Sequence, residues 1–159
     1  IEPHACFRYS RGRCVALHGA LLRVACVEGL MAKWILIIDK DLRTRVGIAR
    51  VFAQRGFIVV EAPTVTEGYE CVRQRDLTCV FLAVDSPEGD GIALLNILMR
   101  TRPELPVVAI TNQVIGPPAE AARALGARCF LQRPISCAAV EDLLDEITPA
   151  SLPGAVPGP

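Results

Sequence analysis

The 159-residue sequence has no excess of charge of either sign, because 17 Lys and Arg residues balance 17 Asp and Glu residues. This balance gives no bulk electrostatic reason to expect nucleic acid or an anionic membrane as a partner. The sequence also lacks an apolar run near the roughly 20 residues that a membrane-spanning helix needs. The apolar stretch from Ala20 to Leu30 is short and interrupted by charges, which argues against a cleavable signal peptide. We therefore expect a cytoplasmic protein with neither nucleic acid nor a membrane as partner.

Several chemical motifs are missing as well. There is no Gly-rich phosphate loop of the P-loop or Rossmann type, and both histidines, His4 and His18, precede residue 30. No C-x-x-C pair occurs, so neither a zinc ribbon nor a thioredoxin-type motif is predicted. The early Cys and His residues match no common zinc-site spacing. We expect free thiols at the seven cysteines, which lie at positions 6, 14, 26, 71, 79, 129 and 137.

What is present is enough apolar sequence for one packed domain, with 52% hydrophobic and 21% charged residues. Residues 1–30 show no strong hydrophobic period and are interpreted as a flexible or weakly helical extension, or as residues upstream of a natural start at Met31. Residues 31–148 form the predicted domain. The Pro- and Gly-rich residues 149–159 are predicted to be a disordered tail.

From Trp34 onward, apolar runs alternate with helical patterns. Strands are predicted over 34–38, 57–62, 79–84, 106–111 and 128–131, and helices over 45–56, 64–75, 91–102, 118–127 and around 140–147. In the first helix Val46, Ala49 and Phe52 stand at helical spacing, and Thr64 and Glu67 form a capping box for the second. Strands alternating with helices indicate right-handed βαβ units and a parallel sheet covered on both faces.

Ligands of such folds bind beyond the carboxyl ends of the strands, so the residues that follow each strand are the candidates for a site. Acids, a hydroxyl and a cation collect there, a set that suits a divalent cation and a phosphoryl group. Simpler interpretations stay open: Asp41 as a helix N-cap, Asp90–Gly91 as turn chemistry, and Arg133–Pro134 as a rigid turn. The candidates are Asp39, Lys40, Asp41, Asp85, Glu88, Asp90, Thr111 and Arg133.

Five features together resemble the receiver domain of two-component response regulators over about residues 32–147: "ILIIDKD", "PEGDG" before a Leu-rich helix, "PVVAIT", "ALGARCFLQRP" and the final amphipathic helix. The resemblance implies a flavodoxin-like (βα)5 three-layer sandwich with strand order 2-1-3-4-5. It also implies an acidic pocket where an Asp accepts a phosphoryl group with Mg²⁺, read by a Thr or Ser and a Lys.

Carried over by position, the family's pattern fits unevenly. Asp39 matches the first of the acidic pair, and Thr111 and Phe130 match the switch hydroxyl and the switch aromatic. Lys40 falls where the second acid, a Mg²⁺ ligand, is expected, and Arg133 falls where the Lys is expected. Counting from the D-G pair and from the second strand places the phosphoacceptor at Ala83, although Asp85 could be a displaced acceptor.

An Ala methyl cannot form an acyl phosphate, and a lysine at the metal position would repel Mg²⁺ and pair with Asp39 or Asp85. The leading hypothesis is therefore a stand-alone, degenerate receiver that needs no cofactor. It would act through protein contacts, with a histidine kinase or another signalling protein, or as a homodimer through the face of the fourth helix, fifth strand and fifth helix.

Two alternatives to this hypothesis remain. The first is an active receiver using Asp85 with Mg²⁺, for which Asp39 and Asp85 are the metal candidates. The second is a small α/β enzyme or cofactor binder, which is disfavoured because no His base and no Gly-rich loop lie in the domain.

Overall fold

The computed structural model describes residues 9–10, 13–14 and 33–147, and the chain divides into two units, 1–31 and 32–159. In the first unit, Tyr9–Ser10 pairs antiparallel with Arg13–Cys14. The expectations for the rest of residues 1–30, including the early Cys and His residues, and for residues 149–159 lie outside the described residues.

Within residues 33–147, five strands and five helices follow one another in strict alternation. We number only these elements. The strands are β1 (Trp34–Ile38), β2 (Ile58–Ala62), β3 (Cys79–Ala83), β4 (Val107–Thr111) and β5 (Cys129–Gln132). The helices are α1 (Leu42–Gln54), α2 (Val65–Gln74), α3 (Asp90–Thr101), α4 (Pro117–Leu125) and α5 (Cys137–Ile147).

All neighbouring strands are parallel, in the order β2-β1-β3-β4-β5, which confirms the predicted 2-1-3-4-5 sheet. Helices cover both faces of the sheet, so successive strand residues point into two separate apolar layers. This is why β1 and β4 read as continuous apolar runs: Ile35, Leu36 and Ile37 are each 0% exposed. No helix of the described ranges is long and apolar enough to cross a membrane.

The two layers differ in their side chains. On one face, α1 and α5 pack on the sheet around Phe52, whose ring lies 5.1 Å from that of Phe81 in an edge-to-face arrangement. On the other face, the predicted stripe of Leu94, Leu95 and Leu98 on α3 is buried. Cys79 is also fully buried, which raises the pKa of its thiol to about 12. The four cysteines at positions 71, 79, 129 and 137 are free, as predicted.

Helix α1 begins at Leu42, three residues before the predicted start, because Asp41 caps it. The Asp41 carboxylate accepts hydrogen bonds from the Arg43 and Thr44 amides at 3.3 and 3.2 Å and from the Thr44 hydroxyl at 2.7 Å. The inward face consists of Thr44, Ile48, Val51 and Phe52. Of the residues noted at helical spacing, Phe52 lies on this face, whereas Val46 is 41% exposed, because its position on the helix lies away from the sheet.

Replacing Asp41 by Ala should lower the free energy of unfolding by about 1 kcal/mol at pH 7, the usual cost of a lost cap. The Thr44 hydroxyl bond, followed by the backbone bonds, lowers the pKa of Asp41 below 3.8. The carboxylate's contribution is therefore present above pH 3.8 and is lost as pH falls through the lowered pKa. Urea unfolding at pH 7 and pH 3 measures this. Asp41→Asn, which keeps an acceptor, is the control, and an equal deficit of Asp41→Ala at both pH values would contradict the charge's role.

Candidate functional site

A cleft of about 610 Å³ opens at the carboxyl edge of the sheet. The family resemblance assigns six residues to the receiver pocket, and five of them line the cleft: Asp39, Lys40, Ala83, Asp85 and Arg133. They converge because parallel strands end at the same edge. The sixth, Thr111, is 1% exposed and does not line the cleft.

The guanidinium of Arg133 joins two carboxylates at the centre of this edge. Its Nη2 donates to Asp39 Oδ2 at 2.5 Å, and its Nη1 lies 3.1 and 3.2 Å from the two oxygens of Asp85. The side chains are 19%, 0% and 14% exposed for Arg133, Asp39 and Asp85. Burial lowers the pKa of Arg133, but the charges and hydrogen bonds of Asp39 and then Asp85 outweigh burial and raise this pKa overall. We call Asp39, Arg133 and Asp85 the ion triad.

Backbone and loop groups fix the Asp39 end of the triad. Asp39 Oδ1 accepts the Asp41 amide at 2.9 Å. The Asp39 carbonyl accepts Arg45 Nη1 at 2.6 Å, and Arg45 Nε lies 3.6 Å from Glu61 on β2. Arg45 was not a predicted site residue. Its position one turn after a possible N-cap at Asp41 was the available signal, since that turn returns towards the strand end.

The Asp85 end of the triad is fixed by β4. Asp85 Oδ2 accepts the Asn112 amide at 2.7 Å, and Arg133 Nη1 lies 3.4 Å from Asn112 Oδ1. The rule that located the other residues would have found Asn112, which directly follows the β4 residue Thr111. The triad therefore links the ends of β1, β3, β4 and β5.

The prediction that Lys40 pairs with Asp39 or Asp85 was wrong, because both carboxylates bind Arg133 instead. Lys40 is exposed at the cleft, where its positive charge acts on the pKa of Glu88. The pKa of Glu88 is lowered first by the Ser86 hydroxyl and less by Lys40. Arg133 can bind both carboxylates because its planar guanidinium presents hydrogen-bond donors to two acceptors at once. The compact ammonium group of a lysine lacks this geometry.

Ala83 is the last residue of β3 and pairs with Ile110 of β4. It lines the cleft with a side chain that has no polar atom. Asp85 lies two residues further on, in the loop to α3, and its two oxygens accept bonds from Arg133 and Asn112. The strand end itself thus carries no reactive carboxylate.

The residues that match the family's switch positions have partners of their own. The Thr111 hydroxyl donates to the Gln113 carbonyl at 2.9 Å and accepts the Gln113 amide at 3.2 Å. The Arg123 guanidinium lies 4.7 Å from the centroid of the half-buried Phe130 ring, a cation–π contact. Arg123 also donates a hydrogen bond to the Val114 carbonyl at 3.2 Å. Arg123 therefore connects α4, the loop before it and β5.

The donor set does not fit a divalent cation. Both acidic candidates, Asp39 and Asp85, contact the guanidinium of Arg133, and a cation between them would meet that positive charge. Within residues 33–147, no three His, Cys, Asp or Glu side chains cluster closely enough to hold a metal ion. Hard cations need several such oxygens.

Comparisons with known proteins agree with the geometry of the fold. A CheY-like response regulator receiver domain protein from Methanospirillum hungatei superposes with a TM-score of 0.67 at 20% identity, over 73% of this chain and 93% of that one. The receiver domain of NtrX from Brucella abortus gives a TM-score of 0.64 at 25% identity, over 71% and 96%.

Sequence relatives are regulatory proteins. The photosynthetic apparatus regulatory protein RegA of Rhodobacter capsulatus is 29% identical over 100 residues, which are 63% of this chain and 54% of RegA. The transcriptional regulatory protein GlrR of Escherichia coli is 26% identical over 121 residues, 74% of this chain and 27% of GlrR. This chain therefore spans about half of one relative and a quarter of the other, and a stand-alone domain stays an expectation.

The family model for the response regulator receiver domain matches residues 35–147. This range covers most of the chain and all five strands, apart from Trp34, the first residue of β1. The resemblance seen in the sequence is thereby confirmed. The chain belongs to the response regulator receiver domain family, the signalling modules of two-component systems.

Proposed function

We propose that this receiver domain is degenerate: it signals without accepting a phosphoryl group, as a cytoplasmic binding module rather than an enzyme. The observation that carries the proposal is the ion triad. Arg133 neutralises Asp39 and Asp85 internally, at the edge where a receiver would otherwise need a bound cation.

The chemistry of the strand end supports the same conclusion. An acyl phosphate forms on a carboxylate oxygen, and Ala83 offers only a methyl group. The nearest alternative, Asp85, has both oxygens engaged by Arg133 and one also by the Asn112 amide. Attack by Asp85 on a phosphodonor would require breaking these charge-assisted bonds, which are the stronger class of hydrogen bond.

The triad also supports a fixed conformation of the strand-end loops. In a switching receiver, a change of charge at this edge is what would move the loops. Here the Arg133 guanidinium already links Asp39, Asp85 and Asn112. The output of the domain is then set by which protein binds it.

The proposed contact surface is the face of α4, β5 and α5. Its partner would be a histidine kinase, another signalling protein or a second copy of this chain. Its supporting feature is Phe130 on β5, held beneath Arg123 of α4. Aromatic and Arg side chains are enriched among the residues that contribute most of the binding energy at protein–protein interfaces.

The test is incubation with acetyl phosphate and Mg²⁺, followed by intact-protein mass spectrometry. We expect no added phosphoryl group. Stable labelling that Asp85→Asn abolishes would overturn the proposal and establish the alternative receiver that uses Asp85.

A gain-of-function series provides the matched positive control. Ala83→Asp supplies the nucleophile alone, and adding Lys40→Asp and Arg133→Lys restores a second acid and an ammonium group. We expect labelling of the triple variant and little of Ala83→Asp, because Arg133 still occupies the acidic pocket in the single variant.

A further inference from the structure

Strand β2 forms one edge of the sheet and pairs only with β1 among the described strands. The Ile58 amide donates to the Lys33 carbonyl at 2.9 Å, so the backbone groups of Ile58 point towards β1. Because the backbone groups of a strand alternate in direction, those of Val59 and Glu61 point away from β1. Within residues 33–147 no further strand lies there. β2 therefore presents open hydrogen-bonding groups at the edge of the sheet.

The side chains of this edge are mostly apolar. Ile58 is 36% exposed, Val59 and Val60 are half-buried, and Glu61 is the one charged residue of β2. Edge strands that stay unpaired are usually protected by a proline, a lysine or a bulge. β2 contains neither of those residues, and its register with β1 is continuous. The strand is therefore suited to accept another strand through its main chain.

The two ends of β2 lie beside opposite charges. Near the carboxyl end, the Glu61 side chain contacts Arg45 of α1 and is still 40% exposed. At the amino end, Lys33 Nζ lies 5.9 Å from the centroid of the Phe57 ring. Lys33 has no ion-pair partner in the part of the chain that the structure describes. An antiparallel copy of β2 would bring each acidic end to a basic end.

We propose that β2 pairs with β2 of a second copy of this chain as an antiparallel strand, which joins two five-stranded sheets into one. The two-fold axis is perpendicular to the sheet and passes between the two Val59 residues, whose amides and carbonyls bond each other. The Glu61 amide then donates to the Phe57 carbonyl of the other copy. The Phe57 amide needs no partner there, because it already donates to the Phe52 carbonyl at 3.1 Å.

The side chains match in this register on both faces of the sheet. On the face covered by α1, Glu61 lies opposite Phe57 of the other copy and within reach of the Lys33 beside that ring. On the face covered by α2, the exposed Ile58 lies opposite Val60. Two-fold symmetry makes each match occur twice. One register thus satisfies the backbone groups, the charges and the exposed apolar side chain together.

This pairing is independent of the ion triad and of the proposed loss of phosphorylation. β2 and β5 are the opposite edges of the sheet, so pairing at β2 leaves the face of α4, β5 and α5 available to another protein. A second copy bound at that face instead would leave the outer amides of β2 exposed to water. Amide exchange therefore distinguishes the two arrangements.

The experiment is amide hydrogen exchange, followed by NMR, of the 159-residue chain over a concentration series. In the monomer, the Val59 and Glu61 amides face outwards and exchange quickly, whereas the Val60 amide points to β1 and exchanges slowly. We expect the protection of Val59 and Glu61 to rise with concentration, in step with dimer formation measured by sedimentation velocity. A chain that stays monomeric, or a dimer in which these two amides gain no protection, would overturn the proposal.

Charge reversal tests the register. Lys33→Glu places two acids opposite each other at both ends of the strand pair, and Glu61→Lys places two cations there. Each variant should raise the dissociation constant about tenfold, because an attractive cross-strand pair becomes repulsive twice. An equimolar mixture should regain dimers, since every acid faces a cation in the mixed pair. Arg100→Glu, the same change of charge at an exposed residue of α3, is the control and should dimerise like the original chain.

A backbone variant tests the hydrogen bonds at the centre of the pair. Val59→Pro removes an amide that points away from β1, and proline is tolerated on an edge strand when its missing N–H would face solvent. We expect a folded monomer by circular dichroism at concentrations at which the original chain dimerises. Dimers of Val59→Pro as tight as those of the original chain, or no recovery on mixing the charge variants, would contradict the strand pairing.

Discussion

Replacing Arg133 by Met should lower the free energy of unfolding by about 3 kcal/mol or more, because it leaves two buried carboxylates without their counter-charge. Asp39 is 0% and Asp85 14% exposed, so water can replace the guanidinium only in part. Unfolding in urea or guanidinium chloride at pH 7 measures this loss of unfolding free energy.

A series of variants separates charge from packing. Arg133→Met combined with Asp39→Asn and Asp85→Asn removes all three charges, and its stability should return to near that of the original chain. Arg133→Lys should lie between, because an ammonium cannot form the two-sided bridge. A loss below about 1 kcal/mol for Arg133→Met would show that the ion triad is not a structural bridge.

Replacing Gly91 by Ala should also cost about 3 kcal/mol, the upper part of the range for overpacking. A Cβ at Gly91 would collide with the carbonyl oxygen of Ala83. That oxygen belongs to backbone that cannot shift freely, because Ala83 is paired with Ile110 in the sheet. α3 would have to move away from the end of β3, at the edge of the cleft.

Gly47 provides the matched control for the Gly91 variant. A Cβ at this exposed position of α1 meets nothing within 4 Å. Gly47→Ala should therefore stabilise the domain by about 0.5–1 kcal/mol, the gain in helix propensity. Thermal unfolding by circular dichroism compares the two. Equal effects of the two substitutions would show that the contact with Ala83 does not constrain α3.

The approximate extent of each strand and the order of the elements could be predicted from residues 34–147. Burial on both faces of the sheet requires a continuous run of apolar residues, which is visible in the sequence. A strand covered twice, such as Trp34–Ile38, must be apolar throughout, and α5 shows Val140, Leu143 and Leu144 at helical spacing. The first helix was less well predicted because a cap, not hydrophobicity, sets its start. Asp41 begins α1 ahead of the apolar pattern, and Val46 belongs to the exposed side.

For the site, the rule that ligands and polar residues gather at strand ends located Asp39, Asp85 and Arg133, and position counting located Ala83. It could not tell which cation would reach which acid. Lys40 adjoins Asp39 in sequence and was expected to pair with Asp39 or Asp85, whereas Arg133, far along the chain, binds both acids. Arg45 was missed for the same reason, since its bond depends on where α1 comes to lie. Asn112 was missed although the strand-end rule would have found it, because it directly follows Thr111.

The sequence by itself determined the parallel α/β architecture, the family resemblance and the lack of a carboxylate at Ala83, because each of these depends on residue type and spacing along the chain. Only the tertiary structure decided that Arg133 bridges the acidic pocket. The physical reason is reach: ion pairs form between side chains brought within about 4 Å by folding, and that distance is set by the packing of the whole sheet.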